Sequence, residues 1–263
     1  MKMYQSISYA IAIDAQSDFF EGMYISNSNP AISFRTALYE NKKVLIIVGM
    51  DNKTGDEIDY TEKYKKLEDI AKKMYPNCNI LFRWNTEDCI SLDKIPYIGD
   101  FSGIMKNMYV ATGYNKWGMT SSNIAANIIT DKILGRLNQY EEVFNSKRLQ
   151  PIKNHEEFGN MVKEATNSII INKFKRTDER IENIKKGEGK IVEIDNIKVG
   201  VFKDDKGKIY AVKPICSHLK CELIWNNLDK TWDCPCHGSR FDYTGRNIYD
   251  PAINNLDMFN FEE

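Results

Sequence analysis

Apolar and polar residues follow a strand-like pattern in four places in the first half of the chain. Over residues 7–13, isoleucine and tyrosine alternate with smaller or polar residues, which is typical of a half-buried strand. Short apolar runs at residues 23–25, 44–48 and 80–84 indicate three more strands. The run at 44–48 is apolar throughout, as in a buried strand, and it ends at Gly49.

Helical patterns separate and follow these strands. Apolar residues recur at helical spacing over residues 67–74, where Thr61 can cap the helix and Pro76 stops it. Residues 93–99 are rich in turn residues, and a short strand is expected at 108–111. A second helix is expected after that strand, and its apolar residues are Ile124, Ile128 and Leu134. The first half is therefore predicted to be mixed α and β.

The second half of the chain has a different pattern. A polar start followed by apolar residues at helical spacing predicts a linker helix over residues 151–177. Short strand-like runs separated by turns then predict a small antiparallel β domain over residues 178–263. Its first strands are expected at 190–194, 197–202 and 209–212. The fold class is thus α+β, with a mixed α/β part at residues 1–150 and an all-β part at the carboxyl end.

Composition and charge limit the class of protein. The 263 residues are 42% hydrophobic and carry a formal net charge of −1, which is typical of a globular chain and does not favour nucleic acid as a partner. The longest clean apolar run is far shorter than the roughly 20 residues that cross a bilayer. The amino terminus has no basic segment followed by an apolar one. We therefore expect a cytoplasmic protein with neither a membrane anchor nor a signal peptide.

Candidate metal ligands lie in two short boxes near the carboxyl end. The first box is Cys216-Ser-His218, and the second, which starts sixteen residues after that histidine, is Cys234-Pro-Cys236-His237. Two thiolates and two imidazoles can hold a [2Fe-2S] cluster, whose reduction potential rises when neutral nitrogen ligands replace thiolates. The same donors also suit tetrahedral zinc, which is the alternative on residue types alone.

The extended boxes, CSHLKC at residues 216–221 and CPCHGSRF at residues 234–241, closely resemble the two cluster-binding boxes of the Rieske family. The resemblance implies a [2Fe-2S] cluster that moves single electrons. Cys216 and Cys234 correspond to the ligands of one iron. His218 and His237 correspond to the ligands of the other.

The resemblance also implies roles for residues around the cluster. In the subset of the Rieske family that resembles the proteins of cytochrome complexes, a disulfide ties the two loops together. Its cysteines correspond to Cys221 and Cys236. Ser239 is suited to donate a hydrogen bond to a cluster sulfur, and Leu219 to shield the histidine side. High-potential relatives have a tyrosine where this chain has Phe241, so we expect a middling or lower potential.

A second resemblance covers about residues 5–150. The order of the elements, with segments such as KTG at 53–55 and GYNKWGMT at 113–120, resembles the later half of flavin-dependent amine and glycine oxidoreductases of the D-amino-acid-oxidase type. In that family a helix points its amino-terminal N–H groups at the flavin ring, where their partial positive charge stabilises a reduced, anionic flavin. The cofactor-binding residues that this implies are Gly113, Trp117, Gly118, Met119 and Thr120. The alternative is a glycine turn that caps an ordinary amphipathic helix.

The sequence has no Gly-x-Gly-x-x-Gly turn of the kind that holds the FAD pyrophosphate. We therefore expect the chain to correspond to the carboxy-terminal part of a longer flavoprotein, with the dinucleotide-binding part missing. FAD binding is expected only where an amino-terminal flavin-binding half is supplied. That half, or a separate redox protein, is the expected partner.

The histidine content excludes one class of Rieske enzyme. His155 is the only histidine outside the two boxes, whereas the mononuclear iron of ring-hydroxylating oxygenases needs two histidines and a carboxylate. Two functions remain. In the first, a flavin takes two electrons from a small, amine-like substrate and the cluster relays them singly. In the second, the chain is a stand-alone, ferredoxin-like Rieske carrier with a non-catalytic docking domain. The sequence singles out no catalytic residue.

Overall fold

The computed structural model describes residues 3–56, 58–148 and 179–260. The linker helix expected at residues 151–177, and His155 with it, lie outside these described residues. The chain divides into two compact units, of which one comprises Met1–Ser6 and Asp88–Asn167 and the other Ile7–Glu87 and Ser168–Glu263. The domain boundaries at residues 150 and 178 stay a prediction.

A five-stranded sheet forms most of the first half, with the strand order β2-β3-β4-β1-β5. Its strands are β1 (Met3–Asp14), β2 (Met23–Ile25), β3 (Ser33–Tyr39), β4 (Lys42–Lys53) and β5 (Asn79–Ser91). All four predicted strands are confirmed, and three of them are longer than expected. The apolar pattern misses β3 because none of its residues is buried, so its sequence contains no apolar run.

Strand β1 is buried on both faces, so the expectation of a half-buried strand was wrong. Its large residues, such as Ile7 and Tyr9, are fully buried, and on the other face Ser6 and Ser8 are only 4% and 5% exposed. The physical reason is the position of β1 between β4 and β5 inside the sheet, where small side chains can also be covered. The alternation therefore reflects two buried faces, one lined by large side chains and the other by small ones.

Helix α1 (Tyr60–Met74) packs on this sheet through Tyr60, Tyr64 and Leu67, which share one apolar core with β1. The helix ends before Pro76, as expected. Its cap is Asp59 and not Thr61, because the Asp59 carboxylate accepts a hydrogen bond of 2.9 Å from the Thr61 N–H. Aspartate accepts better than threonine at this position because it is charged.

In the unit that contains Asp88–Asn167, the described residues form an antiparallel strand pair and two helices. The elements are β6 (Tyr97–Asp100), β7 (Tyr109–Thr112), α2 (Gly118–Ile133) and α3 (Glu141–Phe144). Strand β6 lies at the end of the segment that was expected to be rich in turns. Arg148 fixes that segment, since its guanidinium donates to both carboxylate oxygens of Asp93 and lies 3.8 Å from the ring centroid of Tyr97. The bond joins residues 55 apart, beyond the reach of a local pattern.

Helix α2 confirms the second predicted helix, with one exception. Ile128 is fully buried and Ile124 packs beside it in a small core with Ile98. Leu134 is 54% exposed because it follows the last helical residue as the C-cap. Within the described ranges, no helix combines the length and the apolarity that crossing a membrane requires.

The carboxyl-terminal part is all antiparallel β apart from a short 3-10 helix, as predicted. One sheet consists of β8 (Glu188–Ile194), β9 (Ile197–Lys203) and β10 (Ile209–Val212). The other consists of β11 (Ile224–Asn226), β12 (Thr231–Asp233), β13 (Arg240–Asp242) and β14 (Asn247–Tyr249). The first cysteine box lies between β10 and β11, and the second lies between β12 and β13.

Trp232 packs against the backbone of β9 at Gly200. The tryptophan is fully buried, and a Cβ on Gly200 would lie 2.9 Å from Trp232 Cη2 and 3.2 Å from Val212 Cγ2. The first approach is closer than real Cβ contacts come, and the second is tighter than most of them. The absence of a side chain at Gly200 therefore lets Trp232 fill the core beneath the cysteine boxes.

We predict that Gly200→Ala destabilises the protein by about 1–3 kcal/mol, because the added methyl group overpacks the core at Trp232. Urea unfolding followed by tryptophan fluorescence measures this change. Gly103→Ala is the matched control, since a Cβ there meets nothing within 4 Å. Equal stability of the two variants would contradict the packing argument.

Candidate metal centre

Each cysteine box folds into a loop that returns to its own first cysteine. In the first loop, the Cys216 N–H donates to the carbonyl oxygen of Cys221 at 2.8 Å, and the Lys220 N–H donates back to that of Cys216 at 3.0 Å. In the second loop, the Gly238 N–H donates to the carbonyl oxygen of Cys234 at 2.9 Å, with Gly238 at a φ of 82°. A positive φ suits glycine, so the residue after the second histidine has a local structural role.

The two loops bring together the four predicted ligands. Cys216 and Cys234 are fully buried, and their thiols hydrogen-bond to each other. The rings of His218 and His237 lie edge to face, with centroids 4.9 Å apart. Among the described residues, buried His237 Nδ1 has no hydrogen-bond partner. A buried nitrogen without a partner is unfavourable, so this atom is well suited to bind a metal.

The predicted disulfide between Cys221 and Cys236 is confirmed, with Cα atoms 6.7 Å apart. It joins the first loop to the second. The sulfurs of Cys221, Cys234 and Cys236 all lie within 4.8 Å of one another, as metal ligands can. Because two of the three are bonded to each other, only Cys234 of this group is open to a metal. The donor set that fits is therefore Cys216 and Cys234 with the two histidines.

The surroundings favour the ligand forms of these side chains. Hydrogen bonds, first from Cys234 and also from the Ser239 hydroxyl, lower the pKa of Cys216 to about 6. The same pairing, together with burial, raises the pKa of Cys234. Burial and, after it, the charges of His218 and Lys53 lower the pKa of His237 to about 4. Metal binding needs thiolates and neutral imidazoles. The lowered pKa of Cys216 favours its thiolate, and the lowered pKa of His237 favours its neutral ring.

The two residues predicted to lie beside the cluster differ in exposure. Ser239 is fully buried, and its Oγ accepts a hydrogen bond of 2.9 Å from the Ala252 N–H, so it ties a third loop to the second box. Leu219 is 52% exposed beside His218. Phe241 is fully buried in the core behind the loops. Their effects on a cluster stay predictions.

A buried charge network lies behind the second box, and the sequence did not predict it. Arg240 Nε donates to Asp233 at 3.1 Å, and its Nη2 donates to Asp229. Asn85 of β5 accepts from Arg240 Nη1 at 3.3 Å and donates to both oxygens of Asp229. Since Asn85 and Arg240 are 155 residues apart, no local motif could have signalled this contact.

Glu87 is the third carboxyl group near Arg240. Its Oε1 lies 3.8 Å from Arg240 Nε and accepts a hydrogen bond of 2.9 Å from the Thr54 hydroxyl. Burial raises the pKa of Glu87 to about 8, in spite of the opposing effects of Arg240 and Thr54. The attraction of Arg240 does not prevail because Asp229 and Asp233 are closer to it. Glu87 is therefore favoured in its protonated form around neutral pH.

The five predicted flavin contacts lie at the start of α2, in the unit that contains Asp88–Asn167. The helix begins at Gly118, as the resemblance implied, and it has neither a side-chain cap nor an acidic residue in its first turn. Gly113 has a φ of 71°, and a Cβ there would lie 3.3 Å from Ser91 Cβ. Trp117 and Met119 are 60% and 87% exposed. Flavin binding by these residues stays a prediction.

Comparison with known families decides between iron-sulfur and zinc. The profile of the Rieske [2Fe-2S] domain matches residues 177–260, and the profile of the FAD dependent oxidoreductase family matches residues 2–132. The chain carries a Rieske [2Fe-2S] domain. This domain follows a segment of an FAD dependent oxidoreductase, and the cofactor that the two cysteines and two histidines fit is a [2Fe-2S] cluster.

Two relatives support this assignment, one over nearly the whole chain and the other over about a third of it. YhfW of Bacillus subtilis (strain 168), which is named as a Rieske 2Fe-2S iron-sulfur protein, is 35% identical over 261 residues, covering 99% of this chain and 51% of YhfW. The chain thus spans about half the length of this relative. The cytochrome b6-f complex iron-sulfur subunit of Nostoc punctiforme is 33% identical over 92 residues, covering 34% of this chain and 48% of that protein.

Among solved structures, glycine oxidase from Geobacillus kaustophilus overlaps 57% of this chain and 40% of its own, with 15% identity and a TM-score of 0.47. An overlap of this size supports no further inference.

We predict that Glu87 makes a contribution to stability that falls as the pH rises from about 4.5 to 8. The folded protein holds the Glu87 proton more tightly than the unfolded chain, so the folded state binds more protons in this window and loses stability as they dissociate. The contribution is at most about 1.4 kcal/mol per pH unit. Urea unfolding at several pH values measures it, and Glu87→Gln should flatten the slope. Glu62→Gln, on the exposed side of α1, should leave the slope unchanged.

We predict that Cys221→Ser weakens the loops and leaves the four ligands in place. A cross-link that closes a loop of about 15 residues contributes about 3 kcal/mol through the unfolded state. The variant should therefore bind iron and lose it at a lower temperature or urea concentration than the wild type, as visible absorbance would report. Cys78→Ser, at a free cysteine far along the chain, is the control. If both variants lost iron alike, the cross-link would have no special role.

Proposed function

We propose that this protein is the one-electron relay of a flavin-dependent oxidoreductase. The observation that carries the proposal is one chain in which a Cys2His2 donor set with buried cysteines follows an FAD dependent oxidoreductase segment. A flavin can take two electrons from a substrate at once and release them one at a time, whereas an iron-sulfur cluster accepts and passes single electrons. A chain that combines the two can convert between two-electron and one-electron chemistry.

In this proposal Cys216 and Cys234 bind one iron through sulfur, and His218 and His237 bind the other through nitrogen. The cluster, when bound, supplies reversible one-electron transfer at a potential that the neutral imidazoles raise. The chain's own residues prepare the site. Buried thiols exclude water, and the Ser239 hydroxyl is placed to stabilise negative charge on sulfur.

The flavin would lie at the start of α2. The N–H groups of the first turn lack a side-chain cap, so their partial positive charge can stabilise a reduced flavin. Trp117 and Met119 offer exposed apolar surface for the ring. A flavin-binding half, which would hold the FAD pyrophosphate, is the proposed partner within the enzyme. The proposed substrate is a small, amine-like molecule, and a separate redox protein takes the electrons from the cluster.

Flavin titration tests the first part of this proposal. FAD is titrated into the purified 263-residue chain, alone and with the amino-terminal half of a relative such as YhfW. We expect tight binding only in the presence of that half. If the chain holds a cluster and no flavin under either condition, the stand-alone Rieske carrier with a docking domain is the better description.

We predict that His237→Ala abolishes the reduced-state paramagnetic spectrum of the cluster and lowers the iron content. The reason is that buried His237 Nδ1, which lacks any other partner among the described residues, is the proposed iron ligand. His155→Ala is the control, because it removes the one histidine outside the boxes. An unchanged spectrum and full iron in the His237 variant would refute the ligand assignment, as would zinc without acid-labile sulfide in the wild type.

A further inference from the structure

The turn after β4 makes backbone contact with the second cluster loop. Gly55 in this turn has a φ of 79°, and a Cβ there would lie 2.5 Å from Pro235 Cα and 3.0 Å from the carbonyl carbon of Cys234. Both the backbone angle and the lack of space require glycine. The oxidoreductase segment thus contacts the second cluster loop through this turn, next to the proposed iron ligand Cys234.

The neighbours of Gly55 hold the turn in place. Thr54 is 2% exposed, and its hydroxyl donates to Glu87, which faces Arg240 just after the second box. The carbonyl oxygen of Lys53 accepts from Asn52 Nδ2 at 2.7 Å and from the Asp56 N–H at 3.2 Å. Hydrogen bonds from residues before and after the turn therefore fix the backbone at Lys53, close to where Gly55 contacts Pro235.

Lys53 brings a positive charge close to the second cluster loop. It comes two residues before Gly55, whose backbone packs against that of Cys234 and Pro235. Lys53 is also only partly exposed, so solvent screens its charge less than that of a fully exposed lysine. Reduction of a cluster adds one negative charge, and a nearby cation stabilises the reduced form.

We propose that Lys53, held by the packing of Gly55 on Pro235, raises the reduction potential of the [2Fe-2S] cluster. Lys53 is not among the four proposed iron ligands and would act on the cluster only through its charge. The proposal rests on the proposed function only in that the cluster must be present. Its consequence is that the oxidoreductase segment, and not the Rieske domain alone, sets how readily the relay accepts an electron.

The test is a redox titration of the full chain, in which the paramagnetic signal of the reduced cluster is followed against mediators of known potential. Lys53→Met should lower the equilibrium constant for one-electron reduction severalfold, where a tenfold change corresponds to about 59 mV. Lys53→Arg keeps the charge and should keep the potential near that of the wild type. Lys65→Met removes an equal charge from the exposed side of α1 and should leave the potential unchanged.

A second variant tests the role of the turn. Gly55→Ala should displace the turn from Pro235 and lower the potential, and the effect of Lys53→Met should then be smaller in the Gly55→Ala background than alone. Iron and sulfide content are measured for every variant. If Lys53→Met failed to retain iron, Lys53→Gln would carry the same expectation.

The outcomes separate this inference from the proposed function. A wild-type cluster signal with an unshifted Lys53→Met potential would overturn the inference and leave electron transfer intact. Equal shifts for Lys53→Met and Lys65→Met would also overturn it, since the effect would then be one of net charge. A wild-type chain without a cluster signal would instead refute the proposed function.

Discussion

The closure of two loops around four donor groups is the constraint on which the rest of the molecule depends. Thiols and an imidazole nitrogen that are buried without adequate partners destabilise a fold, and His237 Nδ1 is in this position. The cost is tolerated because the loops are joined covalently through Cys221 and Cys236 and because a metal would satisfy the donors. The disulfide and the four donor groups thus belong to the same two loops, and each depends on the closure of both.

Buried charges are likewise balanced by close partners in the region behind the second box. Arg240 is nearly buried, and Asp229 and Asp233 supply the partners that a buried cation requires. Adding an ionised Glu87 would leave excess negative charge in a place without water, and its raised pKa is the result. Because Asn85 and Glu87 come from β5, the network joins the oxidoreductase segment to the Rieske domain within one compact unit.

Two glycines make close contacts in this unit. Gly200 admits Trp232 to the core under the loops, and Gly55 admits Pro235 to the turn after β4. At Gly200 a buried side chain packs directly on the backbone of β9, and at Gly55 the backbones of two segments meet. Such contacts leave neighbouring segments little room to shift. This matters to a relay because the charges around a cluster act over distances of a few ångströms.

The cysteine and histidine boxes predicted a cluster site from sequence, because ligand spacing within a tight loop is a local property, as is the alternation that located β1. The pattern of apolar residues could not show that Ser6 and Ser8 are buried, since burial on a second face depends on neighbouring strands. Nor could it pair Arg240 with Asn85, or bring Gly55 to Pro235. Those contacts join residues far apart in the chain, and only tertiary packing decides which distant charges and glycines meet.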